Sequence, residues 1–410
     1  MRSDVDALLK ERDLAAAVIL KTEHPNPTFA YLVRSGGHFS SSILVWRRGA
    51  KPHLVHASME RDSAAATGLE LSDYGQRGYR KIAMEEPSPT AADARFLDEV
   101  LRDLGVTGRI LVDGIGSIGR YHEILLRLRA RRPDLEIVED ADPRLFVQAR
   151  LRKDEAEVAE VRKVGAVCGA AYARVRETIG QGRLEKGRLR DAEGWVTIGR
   201  LRREIRRVFF DAGLEEPHGN IVAQGRDAGV PHNSGNDEEV LLEGASIVID
   251  LFPAQPSGGY FFDVTRTYCV GRAPAELRAV YDCVLDSLRD AYGALESGAR
   301  ARAYQDRLCD FFEKRGHATI RQNDRIEEGY VHGLGHGIGL EVHERPNLGG
   351  PPSNPDLLVP GSLFTLEPGL YYPSRGIGVR IEDVVYARPD GTFENLAEHI
   401  PYGLEVAPAS

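Results

Sequence analysis

The sequence predicts two domains, an α/β domain over residues 1–150 and a larger α+β domain over residues 151–410. Three observations carry that division. Strand-like and helix-like segments alternate up to about residue 150. A charged connector, ARLRKD, then leads into a long amphipathic pattern. From Asn220 onward the chain is β-rich with glycine punctuation, interrupted by two helical stretches.

Composition narrows the function classes. At 42% hydrophobic and 28% charged residues the chain is ordinary for a soluble globular protein, and 410 residues can bury a large core. Lys+Arg 53 against Asp+Glu 62 gives a formal net charge of -9, so no nucleic-acid partner is expected. No apolar run approaches a membrane span, and the charged opening MRSDVDALLKER lacks a signal-peptide layout, so no membrane association is expected. Cys168, Cys269, Cys283 and Cys309 are dispersed without a CxxC pair. They read as reduced thiols of a cytoplasmic protein, neither a disulfide frame nor a zinc knuckle.

In chain order, LAAAVIL, TFAYLV and SSILVW read as strands, and Trp46 to Lys51 as a tight reversal into a further strand, HLVHAS. Ser88 to Leu104 reads as a helix, with Pro89 in its first turn and Gly105 as its stop. A strand (RILVD), a helix (Gly119 to Arg131) and a strand (LEIV) complete the α/β pattern. The stretch from Val158 has apolar residues at helical spacing. Residues 181–193 read as a polar loop, followed by a helix from Thr197 to Phe210 that Gly213 stops. Two more helices are expected, from about Ala275 to Leu295 and from about Tyr304 to Lys314.

The first domain contains a GxGxxG run, Gly114 to Gly119, after a strand and before a helix, with Glu139 about twenty residues on. That pattern admits a nucleotide-dependent oxidoreductase. Against it, the preceding strands are in hairpin-like order and no second mononucleotide-binding half follows. The plainer reading is a glycine-rich turn.

The chemistry concentrates further on. In SIVIDLFPAQPSGGYFFDVTRT (Ser246–Thr267), two apolar runs flank a Pro/Ser/Gly cluster, and each run carries an acid, Asp250 and Asp263. This is a hairpin pattern that sets two carboxylates facing across paired strands. Buried acids repel and lose hydration, so a cation must compensate them: Arg266 as an ion pair, or a metal. YVHGLGHGIGLEVHE (Tyr330–Glu344) weaves His332, His336 and His343 among glycines 333, 335, 337 and 339. Its glycines oppose helix, so it is no HExxH zincin; it reads as an extended segment whose backbone is closely approached. FTLEPGLYYPSRGIGVRIEDVV forms a second hairpin with Glu367 and Glu382 on its arms. Arg380 shares a face with Glu382, and Asp383 points the other way.

Together Asp250, Asp263, His336, Glu367 and Glu382 offer four carboxylates and one imidazole. Two divalent cations match that charge, and an oxygen-rich set with one nitrogen suits manganese, cobalt, iron or zinc. Two such ions would hold a bridging hydroxide as nucleophile and polarise a carbonyl.

The order Asp…Asp-x-Thr-Arg-Thr…His-Gly-x-Gly-His-Gly-x-Gly…His-Glu…Glu-Pro-Gly-x-Tyr…Arg-x-Glu-Asp resembles the pita-bread metallopeptidases, which include aminopeptidase P, prolidase and methionine aminopeptidase. The likeness spans roughly residues 150 to 400. It implies a creatinase/prolidase-like N-terminal α/β domain, a C-terminal pita-bread catalytic domain and hydrolysis of Xaa-Pro bonds in di- or oligopeptides. The expected cofactor is a pair of divalent ions, manganese foremost, and the expected assembly a homodimer. A non-hydrolytic binding module on the same scaffold is the alternative from another class.

The resemblance also implies roles. Asp250 chelates one metal, Asp263 and Glu382 bridge both, and His336 and Glu367 complete the other shell. Glu367 doubles as proton shuttle, and His343 hydrogen-bonds the tetrahedral intermediate. His232, in AGVPHNSG, meets the scissile amide or proline side, and His332 lines the proline pocket. Arg380 backs the first aspartate. The Asp250–Asp263 interval is longer than the resemblance leads one to expect, which reshapes one wall of the site. TFAYLVRSGG matches the usual N-terminal-domain wording only in part.

Overall fold

A computed structural model describes residues 3–34 and 37–409, which divide into two compact units. The first holds residues up to Arg150 together with Ser257–Gly259, and the second holds Leu151–Pro256 and Tyr260 onward.

In the first unit the elements are α1 (Ser3–Glu11), β1 (Ala16–Lys21), α2 (Pro27–Val33), β2 (Ser42–Arg47), β3 (His53–His56), α3 (Arg61–Ala66), β4 (Glu70–Asp73), α4 (Tyr79–Glu85), α5 (Pro89–Asp103), β5 (Gly108–Gly114), α6 (Ile118–Arg131), β6 (Leu135–Ile137) and α7 (Leu145–Ala149). The strands form one mixed sheet in the order β4-β3-β2-β1-β5-β6. Val18, Val45, Val55 and Ile110 pack from it against Phe96, Leu97 and Val100 of α5. Ser88 caps α5 by accepting the Ala91 N–H at 3.2 Å.

TFAYLV is a helix, not the strand expected. Asn26 accepts the N–H of Phe29 at 2.9 Å and Pro27 occupies the first turn, so the start signals lie just upstream of the β-prone residues and outweigh them. The glycine run departs from a dinucleotide loop. A Cβ at Gly114 would meet the Leu20 carbonyl at 2.9 Å, but one at Gly119 would meet nothing within 4 Å. The third glycine therefore serves no close helix–strand packing, the role that the fingerprint requires of it.

The second unit begins with α8 (Glu155–Gln181), opened by a capping box between Asp154 and Glu157. It continues through β7 (Arg183–Glu185), β8 (Arg188–Asp191), β9 (Gly194–Trp195), α9 (Ile198–Asp211), β10 (Asn220–Gln224), β11 (Ser246–Leu251), β12 (Val264–Val270), α10 (Ala275–Gly293) and α11 (Ala301–Glu313). Then come β13 (Leu363–Leu366), β14 (Gly369–Tyr372), β15 (Ile377–Arg380), β16 (Asp383–Ala387), β17 (Phe393–Asn395) and β18 (Glu405–Val406). Residues 181–193 are thus a small antiparallel sheet and not the expected loop. Lys186 (φ 52°) and Gly187 (φ 73°) supply the two left-handed positions of a tight hairpin turn, which a polar composition conceals.

Two features of this unit position the site. In β10-β11-β12-β18, the middle pair β11/β12 is fully buried, and the Tyr172 hydroxyl from α8 lies 2.7 Å from the Ile249 carbonyl and 2.8 Å from that of Val264. One phenol thereby ties together the backbone beside both aspartates. The second hairpin is split into two ladders. β13 pairs with β16 through Leu366↔Asp383, β14 pairs with β15 through Gly369↔Arg380, and Glu367 and Glu382 fall in the interruption. Pro368 has no N–H for the ladder, so the break coincides with the acids.

Candidate active site

Asp250 pairs in register with Thr265, so Asp250 and Asp263 are offset by two positions instead of directly opposite. Both are buried, as are Arg380 and Glu382. The alternating threonines of Asp-Val-Thr-Arg-Thr tie the two hairpins together. Thr265 Oγ1 donates to Glu382 Oε2 at 2.8 Å, and Thr267 Oγ1 donates to the Arg380 carbonyl at 2.8 Å. Arg266, between them, points the opposite way and binds Asp383 Oδ1 at 2.8 Å. It does not compensate the two aspartates, because alternation along β12 sends it to the other face. Arg380 pairs with Asp250 instead, its Nη2 2.7 Å from Oδ2.

The glycine-rich stretch is no regular strand. It is held by single backbone contacts, including Thr365 N–H to the His336 carbonyl at 2.8 Å and Glu367 N–H to the Leu334 carbonyl at 2.8 Å. A Cβ at Gly335 would lie 2.0 Å from the Thr365 carbonyl, and one at Gly337 2.1 Å from the Arg345 carbonyl. These glycines let two backbones touch, and the histidines between them face a cavity of about 570 Å³. Asp250, Asp263, His232, His332, His336, His343, Glu367, Arg380 and Glu382 all line it.

The donor set suits divalent metal. Asp263, His336 and Glu382 present atoms within 4.8 Å of one another. The Oδ1 atoms of Asp250 and Asp263 are buried without a hydrogen-bond partner, and such orphaned acceptors are costly unless a cation meets them. His336 Nδ1 lies 3.1 Å from the Gly337 carbonyl, which it reaches as a donor. That tautomer leaves the Nε2 lone pair free, 3.7 Å from both Asp263 Oδ2 and Glu367 Oε1.

Electrostatics agree. Burial, reinforced by the charges of Glu382, Asp250 and Glu367, holds the Asp263 carboxyl well above its ordinary range. Burial, with Glu367 and Asp250, does the same to Glu382. Glu367 is pushed up to about 8 by burial and by Asp250, against the pull of Arg380. Burial lowers His332 to about 4 and His336 to about 3, so both imidazoles are neutral near pH 7. His343 is lowered by burial and by His232 and His218. Raised acids and neutral imidazoles crowded together suit a site for a cation.

Some of the wall carried no role in the sequence reading. The Tyr371 hydroxyl lies 2.8 Å from His332 Nε2 and receives Arg380 Nη1 at 2.9 Å. Its position in Glu-Pro-Gly-x-Tyr was the available signal. His218, Asn220, Phe252 and Asn347 also line the cavity; nothing in their local sequence marks them.

Residues 159–389 match the family model of metallopeptidase family M24. The chain is 34% identical over 363 residues to a probable dipeptidase, PepE, of Mycobacterium tuberculosis, covering 88% of this chain and 82% of that one. It is 25% identical over 325 residues to an Xaa-Pro dipeptidase of Pyrococcus furiosus, covering 79% and 84%. Its structure superposes on the X-Pro aminopeptidase of Thermotoga maritima with a TM-score of 0.73 at 23% identity, over 97% of this chain and 99% of that one. The expected pita-bread architecture is met at full-chain coverage, and neither the oxidoreductase nor the binding-module alternative is favoured. With a cavity of trapped carboxylates and a matching sequence over more than half its length, the chain belongs to metallopeptidase family M24.

Proposed function

We propose that the protein is an exopeptidase that hydrolyses the Xaa-Pro bond at the N-terminus of di- or oligopeptides, using two divalent ions, manganese foremost. The observation that carries this reading is the set of five side chains of metal-binding type lining one cavity, two of them with orphaned buried oxygens. Xaa-Pro specificity is supported by the names of the P. furiosus and T. maritima relatives.

Asp250, Asp263, His336, Glu367 and Glu382 would hold the ions. When bound, the ions supply a nucleophilic water and polarise the scissile carbonyl. The remaining work falls to the chain. Glu367 takes a proton at a carboxylate oxygen and returns it to the departing proline nitrogen. His343 donates to the oxyanion as it develops. His232 meets the amide from the proline side, and His332, fixed by Tyr371, walls the proline ring. Arg380 holds Asp250 in place through the Nη2–Oδ2 contact.

The working form is proposed to be a cytoplasmic homodimer. Among the described residues no helix is long and apolar enough to cross a membrane, and the four cysteines are free. The test is metal analysis with Ala-Pro, Arg-Pro-Pro and a proline-free control, before and after EDTA and after manganese add-back. Cleavage of the proline substrates that EDTA abolishes and manganese restores is expected, and Asp263→Asn should lack both metal and activity. Chelator-resistant hydrolysis, or equal cleavage of the control, overturns the reading.

A further inference from the structure

Near the cavity, and outside the groups assigned above, lies a buried ion pair. Lys153 Nζ stands 2.8 Å from Glu344 Oε2, with side chains 2% and 3% exposed. Two charges taken out of water in this way are costly to keep, and the geometry must repay the cost.

Glu344 directly follows His343. Its Oε1 accepts the N–H of Leu340 at 3.0 Å and of Glu341 at 3.3 Å, and its own N–H donates to the Gly337 carbonyl at 2.7 Å. The carboxylate therefore sits inside the turn that its own residue closes. Gly339 leaves room for it: a Cβ there would lie 2.7 Å from Oε2 and 2.9 Å from Oε1. The turn carries His343, whose ring is 4.3 Å from that of His336, at the cavity wall. Lys153 comes from the connector ahead of α8, where its N–H donates to the Gly361 carbonyl at 2.7 Å. The counter-charge is thus anchored independently of the turn it enters.

We infer that Lys153 is a positioning residue: through the Glu344 carboxylate it sets the turn 339–344 and hence the place of the His343 imidazole. The inference rests on the role proposed for His343. Without the ammonium the carboxylate loses its charged partner and must take a proton or turn toward water, and either change loosens the Leu340 and Glu341 amides. A shift of about 1 Å in a group that meets the reacting centre costs on the order of 10²-fold in rate.

The test compares wild type, Lys153→Met, Lys153→Arg, His343→Ala and the Lys153→Met/His343→Ala double variant. The readouts are kcat, KM, metal content, and amide exchange at Leu340 and Glu341 in the metal-free protein. Lys153→Met should lower kcat about 10–100-fold with KM within about threefold, leave metal content unchanged and speed both amides. Lys153→Arg should recover most of the loss. In the His343→Ala background, Lys153→Met should add less than about threefold, because coupled residues are non-additive. Losses that multiply overturn the inference, and so does unchanged amide exchange whatever the activity. A fully active His343→Ala sinks the role of His343 instead, with the exchange data still deciding whether Lys153 holds the turn. Should Lys153→Met not fold, Glu344→Gln, which keeps the shape and removes the charge, takes its place.

Discussion

Stripping the metal should make this protein less stable as pH rises through neutrality. The perturbation is removal of divalent ions by chelation, followed by a pH series from 6.5 to 8.5. In the metal-free fold Asp263 and Glu382 are raised well above their ordinary values, and Glu367 is raised from 4.5 to about 8. A carboxyl whose folded pKa is raised binds its proton more tightly in the native state, so its contribution is present at low pH and is lost as pH climbs through the folded pKa. The histidines work in the opposite sense. His332 and His336 are lowered to about 4 and about 3, so below roughly pH 6.5 the unfolded chain binds the extra protons and stability rises with pH. Above that point the histidine trend fades, adding only about 0.4 kcal/mol per ring by pH 8.5, less than the carboxyl loss, which fixes the window. For Glu367 alone, integrating between pH 6.5 and 8.5 gives a loss of about 2 kcal/mol, or about 2–4 °C in Tm for a chain of this size. The assay is differential scanning calorimetry of metal-free and manganese-loaded protein in matched buffers. Manganese should stabilise more at pH 8.5 than at pH 6.5. A metal-free Tm that stays flat or rises across the window would refute the reasoning, because the acids would then not be trapped together.

Three further outcomes are expected. Arg266→Met should destabilise the protein by about 3–5 kcal/mol in urea melts, because Asp383 and the Ile400 carbonyl lose a guanidinium that is 1% exposed. Gly337→Ala should cost about 3 kcal/mol or more, since the new Cβ would lie 2.1 Å from the Arg345 carbonyl and only backbone movement relieves it. Its activity should fall with its folded fraction, as measured by activity against circular dichroism. Gly119→Ala, in open space at the start of α6, should raise stability by about 0.5 kcal/mol and leave peptidase activity unchanged; a loss of activity would restore interest in the glycine run.

Much of the fold was legible because its signals are local. Ser88-Pro89 starts α5 and Gly105 ends it, and Thr197 opens α9, each within one helical turn of the residues it governs. TFAYLV misled because its aromatic and β-branched residues favour a strand, whereas one amide contact from Asn26 decides for a helix. The loop expected at 181–193 failed for a related reason. Lys186 takes a left-handed turn position that its residue type does not advertise.

For the site, the chemical inventory was readable along the chain: the two hairpins, their four acids, the histidines among glycines, and the family that this order belongs to. Residue type and spacing are enough for that, since carboxylates in apolar runs are improbable without a cation. Tertiary structure alone decided the partners. Strand register offsets Asp250 from Asp263, alternation along β12 sends Arg266 to Asp383, and Arg380 crosses from β15 to Asp250. Lys153 reaches Glu344 across 191 positions of chain. Such pairings are set by which buried charges the packed core leaves within reach of each other, a property that no local stretch of sequence contains.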